Sequence, residues 1–232
     1  MISVVIPIHN ERNNLSRLIP HLQRIRGDHP VELLPVLSGA TRDGSAEVLR
    51  ELGLEPVRCE ATSRASQMNA GARRARGTTL VFLHADVWPP DEFFRDISRT
   101  LSEDYQAGFF FYRFDNPTLL LRINGYFTRK DGLFTGGGDQ CLFIEKQTFE
   151  ALGGFDPDQV LMEDFEFFRR MKRARTPYRI VHNDMVVSAR KYKRNSYLRV
   201  NLSNLFLLIL FHCGCKPDTL KRLYGKLFRP NP

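Results

Sequence analysis

Residues 2–11 read Ile2-Ser3-Val4-Val5-Ile6-Pro7-Ile8-His9-Asn10-Glu11. β-Branched residues fill most of positions 2–8, and Pro7 followed by His9-Asn10 closes the run. The segment therefore reads as a short strand apolar on both faces, as inside a parallel sheet. From Glu11 the period changes: Leu15, Leu18, Ile19, Leu22 and Ile25 recur at helical spacing, with Pro20 a candidate kink. The same alternation continues. Leu33–Leu37 reads as a strand, although Pro35 is awkward for a central position. A helix opens at Asp43-Gly44-Ser45 and runs through Leu52. A short strand near Val57, a helix over Arg64–Ala75 and the apolar strand Leu80–His84 follow. Strands joined by helices of this length imply βαβ units, hence an α/β fold whose mainly parallel sheet is flanked by helices. Ligands of open sheets bind beyond the carboxyl ends of the strands. Pro7–Glu11, Ser38–Ser45 and His84–Asp86 are thus expected to meet in one crevice.

The second half is less regular. Phe109–Phe114 is an aromatic strand. Gly136-Gly137-Gly138-Asp139-Gln140 is a loop before strand Cys141–Ile144, and a helix over Glu163–Ala174 precedes the strand-like run Arg179–Ala189. Helices near Ser196–Phe211 and Pro217–Phe228 close the chain. No repeat or low-complexity linker interrupts it, so we read one domain over 1–195 with a helical appendage, 196–232, packed on it. At 232 residues, 42% hydrophobic and 26% charged, the chain is globular rather than disordered, collagen-like or disulfide-stapled. Cys59, Cys141, Cys213 and Cys215 lack the paired C-x-x-C spacing of a structural zinc site. The N-terminus has no basic signal-peptide region, and the apolar run Leu205–Phe211 falls far short of the roughly 20 residues that span a bilayer. A cytoplasmic location is expected.

The net charge of +8 is unevenly distributed: −4 over residues 1–163 and +12 over residues 164–232. A basic C-terminal third suggests an anionic partner, or else a solvated basic face that aids solubility. Zinc-finger, helix-turn-helix and RNP-like patterns are absent, which argues against nucleic acid. P-loop and dinucleotide fingerprints are absent too. A small diphosphate ligand or an anionic membrane surface remains. The helix over 198–211 admits two readings: burial against the domain, or peripheral docking on the inner face of a membrane, which would bring a lipid-linked acceptor within reach.

Three groups of residues carry chemistry. His84-Ala85-Asp86 delivers a carboxylate and an imidazole to a strand end, where they could hold magnesium or manganese, or else cap a turn and fill the core. Glu163-Asp164 opens a helix, either as plain N-terminal acids favoured by the helix dipole or with one carboxylate turned inward as a general base. Arg190 and Lys191 end a strand, where a departing diphosphate would meet them. The triple glycine 136–138 reads as a loop against substrate rather than a phosphate cradle.

In order along the chain, these pieces resemble family-2 glycosyltransferases. Val4-Val5-Ile6-Pro7-Ile8-His9-Asn10-Glu11 resembles their opening P-x-x-N-E segment. Ser38-Gly39-Ala40-Thr41-Arg42-Asp43-Gly44-Ser45 is similar to their D-G-G-S-x-D-G-T turn. The series continues with Arg64–Gly71, Phe82–Asp86, Gly138-Asp139-Gln140, Met162-Glu163-Asp164 and Ser188–Tyr192. The ordering over residues 2–228 resembles one bacterial subgroup, the radical-SAM/selenodomain-associated glycosyltransferases. The resemblance implies a GT-A fold and an inverting transfer from a nucleoside-diphosphate sugar, UDP-linked by preference, to an acceptor hydroxyl. It implies that Pro7, Asn10, Glu11, Ser38, Arg64, Gln67, Asn69, Ala85, Arg190 and Lys191 face the nucleotide sugar. Asp86 and His84 would hold a divalent metal, manganese or magnesium. Asp164 would be the base, with Gly138, Asp139, Gln140 and Glu163 on the acceptor side. Two positions depart from the family pattern: Ser38 replaces the usual nucleotide-binding Asp, and Lys191-Tyr192 replaces Arg-Trp. The alternative is a catalytically weak GT-A-like protein that binds a nucleotide or a partner.

Overall fold

The structure, a computed structural model, describes residues 1–116, 118–127, 129, 131–132, 135–190, 192 and 195–228, without the side chain of Phe127. Strand β1 (Ile2–Ile8) leads into helix α1 (Arg12–Ile25), β2 (Val31–Ser38), α2 (Ser45–Glu51), β3 (Val57–Cys59), α3 (Arg64–Arg74) and β4 (Thr79–Phe82). Then come β5 (Val87–Trp88), α4 (Phe93–Ser102), β6 (Ala107–Phe114), α5 (Leu119–Phe127), β7 (Phe143–Glu145), α6 (Lys146–Ala151), α7 (Glu163–Arg173) and β8 (Tyr178–Val187). Helices α8 (Tyr197–His212) and α9 (Pro217–Leu227) end the chain.

Among the described residues the strands form one sheet ordered β3-β2-β1-β4-β7-β6-β8-β5. β3, β2, β1 and β4 run parallel, as do β6 and β8; β7 runs antiparallel to β4 and β6, and β5 to β8. β1 alternates as a buried strand must. Ile2, Val4, Ile6 and Ile8 pack with α1, α2 and α4, while Val5 packs with Ala65, Met68 and Ala72 of α3. Gly71 permits that second contact, because a Cβ there would lie 2.4 Å from Val5 Cγ1.

Neither proline breaks its element. α1 continues past Pro20 to Ile25. Pro35 sits inside β2, one residue before β3 begins to pair at Val36, where β2 is still the sheet edge and a residue without an N–H is tolerated. The sequence reading misses β5, α4, α5 and α6. Two residues separate α4 from Pro89-Pro90, and α5 is a short apolar helix with no acidic residue in its first turn and no basic residue in its last.

Candidate active site

The carboxyl ends of β1 and β4 open into a crevice with two lobes. One, of about 600 Å³, is lined by Pro7, Glu11, Ala85, Asp86 and Arg190 and closed by Tyr224 and Phe228. The other, of about 590 Å³, is lined by Gly138, Gln140, Glu163 and Asp164 and walled by Leu161, Met162 and Leu208. His9, Arg64, Gln67, His84, Asp86 and Asp139 face both. Two of the three expected strand-end segments therefore meet. The third supports them from behind. Buried Ser38 places Oγ 2.8 Å from His9 Nδ1 and 3.1 Å from Thr41 Oγ1. Asp43 accepts from the Arg12 and Ser45 N–H groups at 2.9 and 3.0 Å. Asn10, at φ +57°, accepts from the Arg42 N–H at 2.9 Å. Ser38 and Asn10 thus shape the loops without lining either lobe.

Arg190 Nη2 donates to Asp86 Oδ2 at 2.9 Å and stands 3.7 Å from Glu11 Oε1, so acids from the loops after β1 and β4 bracket a cation from the end of β8. Lys191 lies outside the described residues. Arg64 begins α3 behind the cap Ser63, and its Nη1 is 3.1 Å from Oε1 of buried Glu163, a charge pair without an aligned hydrogen bond. Gln67 Nε2 donates to the carbonyls of Ile8 (2.9 Å) and Val36 (2.7 Å), clamping the ends of β1 and β2. Asn69 does not reach the crevice. Its amide donates to Phe155 O at 2.7 Å and accepts from Phe155 N at 3.0 Å, and it lines neither lobe. Two residues along a helix turn the side chain through about 200°, so Gln67 and Asn69 face opposite ways.

The glycine-rich segment packs closely. The Gly136 N–H donates to Gln140 Oε1 at 2.8 Å. At Gly138 a Cβ would lie 2.1 Å from His84 Cε1 and 2.6 Å from Asp164 Oδ2, so only glycine lets this backbone pass between the two side chains.

The profile described as "Glycosyl transferase family 2" matches residues 3–150. The chain belongs to glycosyl transferase family 2. A search of curated proteins finds no match. Among solved structures, the enzyme is similar to a mannosyltransferase, PcManGT, from Pyrobaculum calidifontis, solved with GDP-Man and Mn2+. Identity is 18%, with 97% of this chain and 68% of that one covered, at a TM-score of 0.67. Glucosyl-3-phosphoglycerate synthase from Mycobacterium tuberculosis, solved with Mn2+, UDP and phosphoglyceric acid, gives 19%, 92%, 78% and 0.65. TarS from S. aureus gives 12%, 97%, 42% and 0.63. At these identities the likeness establishes the fold, the GT-A architecture that the resemblance implied.

The electrostatics of this glycosyltransferase follow from crowding. Glu11, Asp86, Asp139, Glu163 and Asp164 line a crevice that also holds Arg64 and Arg190. Burial, then the charge of Glu163, pushes Asp164 up to about 7, against the opposing pull of His84 and Arg64. For His84, burial and Arg64 disfavour the cation, yet Asp139, 3.8 Å away, and Asp164 outweigh them and raise its pKa. Glu11 is raised mainly by burial, with Asn14 opposing and Asp86 adding. Asp86 directs its carboxylate to Arg190, and Asp164 follows Met162, a left-handed N-cap with no side-chain cap bond. Sequence reasoning missed His9, Tyr112, Lys221 and Tyr224. The last two, with Phe228, recur at i, i+3 and i+7 on α9, a spacing that marks one helix face. His9 carries no such signal.

Proposed function

We propose that the chain is an inverting glycosyltransferase that moves a sugar from a nucleoside-diphosphate sugar, UDP-linked, to an acceptor hydroxyl, with Asp164 as general base. One observation carries this reading: Asp164, its carboxyl raised to about 7, shares a crevice with His84 and Asp86, suited to a divalent metal, and with Arg190, suited to a diphosphate. The nucleotide would lie in the lobe of Pro7, Glu11 and Ala85, with Arg190 and Lys191 toward the diphosphate. The acceptor would enter the Asp164 lobe beside Gly138, Asp139, Gln140 and Glu163. Asp164 takes the proton from the acceptor hydroxyl as that oxygen bonds to the anomeric carbon. The bond from that carbon to the diphosphate breaks, and its electron pair leaves with the diphosphate. A base with a pKa near neutrality is matched to this task.

The donor set fits a divalent metal. Asp86 supplies oxygen and His84 nitrogen, in a crevice where the five carboxylates outnumber Arg64 and Arg190. Among the described residues no three His, Cys, Asp or Glu could hold an ion by themselves, which leaves further ligands to phosphate oxygens and water. When bound, manganese or magnesium neutralises charge on the diphosphate. The bound ions and nucleotides of the similar structures support the same assignment.

Residues 1–195 form the catalytic domain in this reading and 196–232 an appendage that roofs it. We assign the chain to the radical-SAM/selenodomain-associated subgroup on the order of its motifs. A nucleotide-release assay across UDP- and GDP-sugars tests the proposal. Release that chelation abolishes and manganese restores is expected. Donor binding with no release from any sugar, with or without acceptor, would make the chain a nucleotide-binding member without transfer, the reading favoured by Ser38 being buried and bonded to His9 and Thr41.

A further inference from the structure

Helix α8 has two apolar faces, and the fold accounts for one. Val200, Leu207, Leu208 and Phe211 are buried in a cluster that Leu161, Met162 and Phe165 pack against, next to the Asp164 lobe. On the opposite face Leu198 and Leu202 are 67% and 62% exposed, with Phe206 and Ile209 continuing the stripe at spacings of four and three. Helix α5 lies alongside. Tyr197 Oη donates to Asn124 Oδ1 at 2.7 Å, and Asn124 Nδ2 donates to Asn201 Oδ1 at 2.8 Å. This polar seam joins the helices, and α5 likewise exposes Leu119, at 74%, and Ile123. Exposed apolar patches of this extent on a soluble domain mark interaction sites.

We propose that the joined face of α5 and α8 docks the protein on a membrane surface rich in anionic phospholipid. Charge selects this partner over a second copy of the chain. Residues 190–232 carry ten Lys and Arg and a single acid, Asp218; Arg190 and Lys221 line the crevice, which leaves eight. Arg122 is exposed on α5, at i+3 from Leu119; Arg199 on α8 is exposed too, with its Nε donating to Leu227 O at 2.9 Å. A twofold interface would set these arginines against their own copies, whereas anionic headgroups complement them. Length fixes the mode of contact. No helix among the described residues is long and apolar enough to cross a membrane, so α5 and α8 lie on the surface with their apolar sides at the headgroup boundary. Because the inner face of α8 lines the Asp164 lobe through Asn204 and Leu208, docking there brings a lipid-linked acceptor to the lobe mouth. The choice of acceptor rests on the proposed transfer reaction; the docking surface does not.

Vesicle flotation of the full chain tests the proposal, with nucleotide-sugar binding measured on the same samples. Salt-sensitive flotation with phosphatidylcholine vesicles containing phosphatidylglycerol is expected, with little on phosphatidylcholine alone. Leu202→Ser with Phe206→Ser should lower partitioning about tenfold. Leu119→Ser with Ile123→Ser on α5, and Arg122→Gln, should lower it too and serve as independent variants if the α8 pair misfolds. The proposal is overturned by absent flotation, by equal binding to neutral vesicles, or by apolar variants that leave flotation unchanged while turning a dimer into a monomer in light scattering. Failed flotation with intact donor binding refutes docking alone. Flotation without donor binding refutes the catalytic reading alone.

Discussion

The lobe of Glu11, Asp86 and Arg190 and the lobe of Asp164 share six residues but have different outer walls. The first is mostly polar at its base, built from loops that follow β1, β4 and β8, and only Tyr224, Gly225 and Phe228 close it from the C-terminal helices. The second is apolar on its far side, with Val160, Leu161, Met162 and Phe165 ahead of and within α7, and Leu208 from α8. Strand ends place charge accurately because the sheet holds them on both sides. A helical roof instead selects what enters, by its shape and greasiness. A polar donor and a less polar acceptor suit this division of walls.

Asp164 lines one lobe and Arg190 the other, so each can be changed by itself. Asp164→Asn keeps the shape and removes the proton acceptor. It should lower kcat by about 10³-fold or more and leave donor affinity nearly unchanged, as seen by comparing single-turnover rates with calorimetric titration. Loss of donor binding in that variant would mean that the lobes do not act separately. Gly138→Ala should come next, since its Cβ would push His84 and Asp164 apart. A drop in kcat on the order of 10²-fold is expected, together with a lower melting temperature from the overpacking. Arg190→Ala acts on the other lobe. Losing one charge-assisted contact should weaken donor Kd about tenfold and leave the chemical step intact.

The smallest effect concerns stability. Asp164 holds its proton up to about 7 in the fold, against an ordinary 3.8. Its stabilising contribution is therefore complete below about pH 4 and is lost as pH rises through 7. Asp164→Asn, neutral throughout, should match the parent at pH 4 and exceed it in Tm at pH 8, with a gap that opens as pH rises toward neutrality. A gap that does not grow with pH would show that the Asp164 carboxyl is not crowded.

Much of the first half of the chain is legible in its sequence. The alternating strands and helices from Ile2 to His84 announce themselves through period and punctuation. Asp86, Asp164 and Arg190 stand at or just beyond element ends, where the ligands of open α/β sheets bind. Other residues were not legible. Gln67 and Asn69 belong to one motif block, yet one clamps β1 to β2 in the crevice wall and the other holds the backbone of Phe155. Hydrogen-bond partners distant in sequence, rather than residue type, separate them. Likewise α8 is apolar on nearly every side, and its sequence could not say which side the domain would cover.

Local pattern thus sufficed for the strands and helices from Ile2 to Phe82, for α7 and the two C-terminal helices, and for the ends at which chemistry gathers, because periodicity and capping act over a few residues. The tertiary structure decided which charges pair, such as Arg64 with Glu163 and Arg190 with Asp86. It also decided that β7 enters antiparallel and which face of α8 stays in solvent. Those outcomes depend on contacts between segments far apart in the chain, and no local spacing encodes them.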